Sequence, residues 1–351
     1  ILKGRKIPCE AIRATHEIID LTKLKEISKQ KVVTITQFLT AVLIKAIYLG
    51  NMKNTTSNKP IKICVPINIK KYFKSKTLSN INNCNIWLKM ESTQPSGSFK
   101  QRSIGNACSY YAEQGAKKFI SSSGGNAGIS VAYMGNSLNI PATIVVPKTT
   151  SQKAIDIMRQ QGAEVIVHGE IWTEANELAL QFVNSEAIYI HPFDDQYLWD
   201  GVAKIIDETI EDGIIPSAVV LSVGGGSLLS GISQGLSKNK LNIPIYAVET
   251  EGTASLNTAI KMGQHIKLDK VTGVATTLAA QQVCKNAFEL TQLKEIKGIT
   301  VTDEEAIDAC FKFLDDHRTL VEPACGATLA TLYNKKMDFS PSDNILVIVC
   351  G

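Results

Sequence analysis

No stretch of this sequence is apolar for long enough to cross a bilayer. The longest run, residues 38–50, is interrupted by Lys45 and falls short of the roughly 20 residues a spanning helix needs. Charge of one sign is also scarce: 37 Lys and Arg against 33 Asp and Glu leave a formal charge of +4 over 351 residues. That excludes the basic stripe expected of a nucleic-acid binder. The densest basic run, residues 70–76, reads as a solvated loop. None of the eight cysteines is paired as C-x-x-C or has a histidine nearby at zinc-ligand spacing, which excludes the common zinc and dithiol motifs. They read as reduced thiols of a cytoplasmic protein. His16, His168, His191, His265 and His317 have no partners at ligand spacing and read as surface or structural residues. The chain opens at Ile1 without a recognisable targeting segment.

What is present is an ordinary globular balance, 44% hydrophobic and 20% charged residues, in a chain long enough for at least two domains. From about residue 117 short apolar runs alternate with helical periods. Strands are expected over 118–122, 142–146, 165–167, 187–190, 218–223, 243–248 and 345–349. Helices are expected over 129–138, 151–161, 172–183 and 197–211. Strands apolar on both faces are parallel strands covered from two sides, so the class is α/β and doubly wound. Residues 1–80 differ, with helices expected over 21–29 and 36–48 and one strand over 61–66.

Four short elements carry the chemistry. Ser96-Gly97-Ser98-Phe99-Lys100 is a tight polar turn that can present one amine to a cleft, where desolvation lowers its pKa and allows a Schiff base. Ser121-Ser122-Ser123-Gly124-Gly125-Asn126-Ala127-Gly128 follows a strand and precedes a helix, the setting of a backbone anion site. Gly224-Gly225-Gly226-Ser227 repeats that setting, without the ending of a nucleotide phosphate loop or the spacing of a dinucleotide site. Cys350 ends an apolar strand, and residues at the carboxyl ends of parallel strands face the ligand crevice. Two anion-binding turns and one activated lysine suit a phosphate-bearing cofactor joined to a carboxylate-bearing substrate.

Together these elements closely resemble the serine dehydratases of the fold-type-II pyridoxal-phosphate family, from about Asn85 to the end. The resemblance rests on IWLKMESTQPSGSFK (86–100), SSSGGNAG (121–128), ATIVVP (142–147), HPFDD (191–195), LSVGGGSLL (221–229), VEPACGA (321–327) and VIVCG (347–351). It implies two doubly wound, mostly parallel open-sheet domains of the tryptophan synthase β-like architecture, with the active site in the cleft between them. Residues 94–196 would form the small domain, and 81–93 with 197–351 the large one. Pyridoxal 5'-phosphate is the implied cofactor. Lys100 should hold it, Phe99 and Thr277 should flank its ring, and Asn126 should hydrogen-bond its phenolic oxygen. Gly224, Gly225, Gly226, Ser227 and Leu228 should cradle its phosphate, and Cys350 should meet the ring nitrogen. Ser123, Gly124, Asn126 and Ala127 should hold the substrate carboxylate. A monovalent cation, K+, is implied at Glu249 with carbonyls of Gly224, Thr253, Leu278 and Ala280. The implied activity is elimination of water from L-serine to give pyruvate and ammonia, with L-threonine giving 2-oxobutanoate, in a homodimer that engages neither nucleic acid nor membrane.

Some features depart from that family. Ser227 stands where a fourth glycine is common, though its backbone N–H remains. Gly124 stands where some relatives carry alanine, which implies extra room. Relatives continue about one helix past Gly351. Residues 1–80 instead resemble a fragment of a condensation-type acyltransferase, through TITQFLTAVLIKAIY (34–48) and VPINIKKYFKSKTLS (65–79). Only His16 and Asp20 echo that family's H-H-x-x-x-D-G, so no acyl transfer is expected, and a spliced chain would account for the junction. Competing readings are a threonine dehydratase or cysteine synthase of the same fold, or a non-catalytic remnant.

Overall fold

Strands with side chains buried on both faces build two sheets. In the computed structural model, which describes residues 72–351, these strands are β1 (Tyr72–Lys74), β2 (Asn85–Met90), β3 (Lys118–Ser121), β4 (Ala142–Val146), β5 (Glu164–Val167), β6 (Ala187–Tyr189), β7 (Ala218–Ser222), β8 (Ile245–Thr250), β9 (Ile296–Val301) and β10 (Asn344–Val349). Between them run α1 (Lys76–Asn82), α2 (Lys100–Glu113), α3 (Asn126–Leu138), α4 (Gln152–Gln160), α5 (Trp172–Gln181), α6 (Gln196–Glu211), α7 (Ser227–Lys238), α8 (Ser255–Met262), α9 (Lys285–Leu293), α10 (Asp303–His317) and α11 (Pro323–Tyr333). The helices and strand expected before residue 67, with His16 and Asp20, lie outside the described residues. No helix among the described residues is long and apolar enough to cross a membrane.

The larger sheet has the order β1-β2-β10-β7-β8-β9 and the smaller β5-β4-β3-β6. Every pairing is parallel except β1 with β2. Parallel strands need long crossovers, and these the helices supply. In the smaller sheet Phe119, Ile144 and Val146 face one core, while Ile120 and Val145 face another under Ala175 and Ala179 of α5. That covering of both faces is why the strands read as continuous apolar runs. The chain order reverses beside β3 in one sheet and between β7 and β10 in the other. Such switch points open a crevice at the strands' carboxyl ends.

Local chemistry sets the helix starts. Ser151 caps α4 by accepting from Ala154 N, and Asp195 caps α6 by accepting from Tyr197 N. Thr302 and Glu305 form a reciprocal capping box at the start of α10. The basic run expected to be a solvated loop is corrected in part. Residues 72–74 are strand β1, antiparallel to β2, and Phe73 packs on His317 with ring centroids 5.4 Å apart. Aromatic side chains favour a half-buried pleated edge over a loop. β1 and the first turn of α1 fall inside the segment of residues 1–80 set apart in the sequence, and α1 runs on past it to Asn82.

An ionic cluster, buried at Lys89 and Glu91 and half-buried at Arg102 and Glu208, ties α2 to the larger sheet. Arg102 donates through Nε to Glu91 at 2.6 Å and through both terminal nitrogens to Glu208 at 2.7 and 2.8 Å. Lys89, wholly buried on β2, donates to Glu208 at 2.6 Å. Burial alone would push the Glu208 carboxyl up, but hydrogen bonds from Arg102 and Lys89 outweigh it and hold it at about 2. Removing one member strands opposite charge in a desolvated site. Arg102→Met is therefore expected to lower the unfolding free energy by about 3–5 kcal/mol in a urea titration. Because the folded pKa of Glu208 is depressed, its contribution is present above the ordinary value of 4.5 and is lost as pH falls toward about 2. The gap between variant and parent should narrow over that interval.

Candidate active site

The turn that presents Lys100 is bound to the end of β10. Gly97, at φ +81°, closes the turn by donating to Gln94 O at 2.7 Å. Phe99 N donates to Cys350 O at 2.8 Å, which seats the first residue of α2 at the crevice. Lys100 Nζ donates to Pro192 O at 2.6 Å and to Ser227 Oγ at 3.1 Å, and stands 4.9 Å from the centre of the Phe99 ring. Part of the side chain stays open to the crevice, while the amine is enclosed. Desolvation lowers its pKa to about 8, against the opposing influence of Cys284 and Cys350.

Both glycine loops follow switch-point strands. After β7, a Cβ on Gly225 would collide with the Phe193 ring, and one on Gly226 would lie 2.6 Å from Ala287 Cβ. Gly226 also sits at φ +97°, which favours glycine. The main-chain N–H groups of Gly225, Gly226, Ser227 and Leu228 meet no acceptor among the described residues. They open α7 without a side-chain cap, the arrangement that receives a phosphate. After β3, Ser123 Oγ accepts from Gly125 N at 3.3 Å, and a Cβ on Gly128 would collide with the Ser123 carbonyl. The N–H groups of Gly124, Asn126 and Ala127 likewise meet no acceptor among the described residues. The room expected at Gly124 is not there: a Cβ would run into the Thr150 side chain, which fills that space.

Asn126 Nδ2 donates to both carboxylate oxygens of Glu322 at 3.0 Å, and Thr277 Oγ1 donates to the same carboxylate at 2.9 Å. Glu322 N is held by Gly351 O at 3.0 Å. Cys350 Sγ lies 3.3 Å from Ser222 Oγ. Lys100, Phe99, Asn126, Thr277, Cys350 and the two loops are thus linked through a few hydrogen bonds at one crevice. Glu249 stands apart, wholly buried. It accepts from Leu256 N at 2.9 Å and from Asn257 N and Nδ2 at 2.7 Å each, so it anchors the start of α8. Burial pushes its carboxyl up to about 7 against those hydrogen bonds. Of its expected carbonyl companions, Leu278 lies against Gly224 and accepts from Ala280 N at 2.7 Å, while Thr253 sits in the turn ahead of α8.

Three contributors were missed in the sequence. Glu322 precedes Pro323, and a carboxylate ahead of an N-terminal proline reads as a helix start; only the fold aims it at Asn126. The Pro192 carbonyl and the Phe193 ring come from the HPFDD string, which is polar and turn-like without being diagnostic. His191 is structural, as expected. Its Nδ1 accepts from Phe193 N and Asp194 N at 3.2 and 2.8 Å, which requires the neutral ring. Burial pushes it down to about 4. The six cysteines among the described residues are free and buried.

A family described as pyridoxal-phosphate dependent enzymes matches residues 66–351. An L-serine dehydratase of Dictyostelium discoideum is 44% identical over 321 residues, spanning 85% of this chain and 90% of that protein. The human L-serine dehydratase/L-threonine deaminase is 41% identical over 307 residues, spanning 84% and 92%. Among solved structures, a fungal L-serine ammonia-lyase from Rhizomucor miehei superposes with a TM-score of 0.76 at 32% identity, covering 80% of this chain and 92% of that one.

Because enclosure has lowered the Lys100 pKa to about 8, its amine should become reactive well below the range of surface lysines. Reductive methylation across a pH series, read by peptide mass, is expected to label Lys100 with a midpoint near 8. A midpoint shared with exposed lysines would contradict the desolvated site.

Proposed function

The chain belongs to the pyridoxal-phosphate dependent enzymes, and on that premise we propose that it is an L-serine dehydratase, eliminating water from L-serine to give pyruvate and ammonia. The observation that carries this is the enclosed Lys100 amine held between the Pro192 carbonyl and Ser227, the latter in a loop with unpartnered N–H groups. The residues present fit the cofactor. Gly225 to Leu228 offer amides to a phosphate at a helix start, glycines leave the space that side chains would fill, and Lys100 is poised as a neutral nucleophile. Phe99 would flank the ring and Cys350 would meet its nitrogen. A thiol there would leave that nitrogen unprotonated.

When bound, pyridoxal phosphate supplies a conjugated ring that delocalises the charge developing at the substrate α-carbon. The remaining work falls to this chain. Ser123, Gly124, Asn126 and Ala127 bind the substrate carboxylate at the start of α3 and so orient the amino acid. Lys100 Nζ removes the α-proton, and the β-hydroxyl takes up one proton in return as it departs. Loss of the β-hydroxyl as water yields 2-aminoacrylate, which hydrolyses in solution to pyruvate and ammonia. Glu322 holds Asn126 and Thr277 together across the crevice and so ties the loop after β3 to the turn at residues 276–278. L-Threonine, which some relatives are named for, would give 2-oxobutanoate by the same steps. Residues 94–196 would form the small domain, and two copies would form a homodimer. K+ would sit by Glu249 with carbonyls of Gly224, Thr253, Leu278 and Ala280, oxygen donors of the kind hard cations take.

Adding pyridoxal phosphate to the purified protein is expected to produce a visible absorption band that shifts with L-serine as pyruvate forms. Lys100→Ala should show neither change. A folded sample without the band would refute the assignment. Exchanging K+ for a bulky organic cation is expected to lower the thermal midpoint and the turnover together; unchanged values would remove K+ from the proposal.

A further inference from the structure

The loop after β7 has a feature that its glycines do not explain. Its fourth residue is serine, and the Ser227 side chain reaches the Lys100 amine at 3.1 Å, while the Pro192 carbonyl takes the same amine at 2.6 Å. Ser227 is buried, with 2% of its surface exposed, so this hydroxyl has few solvent alternatives. A neutral amine has two hydrogens and one lone pair. Two acceptors on fixed elements, the turn after β6 and the first residue of α7, use both hydrogens. The lone pair is then confined to the remaining direction. The loop's N–H groups are donors and cannot supply this, and its Gly225 and Gly226 carbonyls accept from Cys284 N and Ser230 N instead of from the amine.

We propose that the Ser227 hydroxyl is a positioning group for Lys100, orienting its amine for proton transfer, in addition to the backbone N–H that Ser227 offers to the phosphate. This rests on the reading of Lys100 as the cofactor-bearing base. The Ser227 hydroxyl accepts more strongly from an ammonium than from a neutral amine, so it favours the protonated form. The other titratable groups around the amine are Cys284 at the start of α9, Cys350 at the end of β10, and His191 ahead of Pro192, with Asp194 beyond it. All of them survive a change at residue 227.

The test compares the parent with Ser227→Ala and Ser227→Thr. In cofactor-free protein, the pH midpoint for reductive methylation of Lys100 is expected to fall by about one unit in Ser227→Ala, the size of one charge-assisted hydrogen bond. Ser227→Thr, which keeps the hydroxyl, should return it to the parent value. In the loaded enzyme, kcat should drop roughly tenfold in Ser227→Ala, while KM for serine and cofactor affinity stay within about twofold, since the backbone N–H persists. An unchanged midpoint in Ser227→Ala, or no recovery in Ser227→Thr, would overturn the proposal. A parallel loss of cofactor affinity would also overturn it, by showing that the side chain serves the loop and not the amine. The methylation readout needs no cofactor, so it stands whether or not the dehydratase assignment holds.

Discussion

The enclosure of one amine governs the rest of this molecule. Lys100 has to leave water to give up its proton more readily than an exposed lysine does, yet its hydrogens still need acceptors. The fold meets both demands by placing the amine between the Pro192 carbonyl, which follows the smaller sheet, and the Ser227 hydroxyl, which follows a strand of the larger one. Neither sheet alone could close that position. The residues that bracket Lys100 in sequence are fixed as firmly. Phe99 is tied to the end of β10, and Arg102 is clamped by Glu91 and Glu208. The first turn of α2 therefore has little freedom to move the amine away.

Parallel topology explains why the remaining groups arrive at the same place. Within each sheet the parallel strands end on the same side, and hydrogen bonds from Asn126 to Glu322 and from Glu322 N to Gly351 O bring the loop after β3 to the end of β10, beside β7. Two of those loops open helices with unpartnered N–H groups, which makes two anion sites from backbone alone. The third ends in Cys350 and Gly351, whose carbonyls hold Phe99 and Glu322. The division of labour proposed between phosphate and carboxylate would thus follow which sheet each loop belongs to.

Glu322 gives the crevice its only carboxylate linking both loops' neighbourhoods among the contacts described. It accepts from Asn126 on one side and Thr277 on the other. A carboxylate shared in this way couples the position of the small-sheet loop to that of the turn at residues 276–278, which lies against Gly224. Asn126 is also the side chain expected to reach the cofactor's phenolic oxygen. The same amide donor that now bonds Glu322 would then also serve the ligand, and binding and loop position would be joined through one residue.

Much of this was legible in the sequence, because the relevant physics is local. Apolar runs of four to six residues mark strands covered on both faces, and the bounds expected for 142–146 match β4. Glycines after a strand mark an anion turn, and Lys100 behind a Ser-Gly-Ser turn marks a presented amine. Tertiary structure alone decided the contacts made at long sequence separation. The basic run at 72–74 became a strand only because β2 offered an edge to pair with. The space at Gly124 was taken by Thr150, 26 residues away by number. Glu322 meets Asn126, and Ser227 meets Lys100, across separations of 196 and 127 residues. Residue type and spacing report the local conformation a segment prefers. Which donor finds which acceptor depends on how the crossovers stack the two sheets, and that is settled by burial of the whole core.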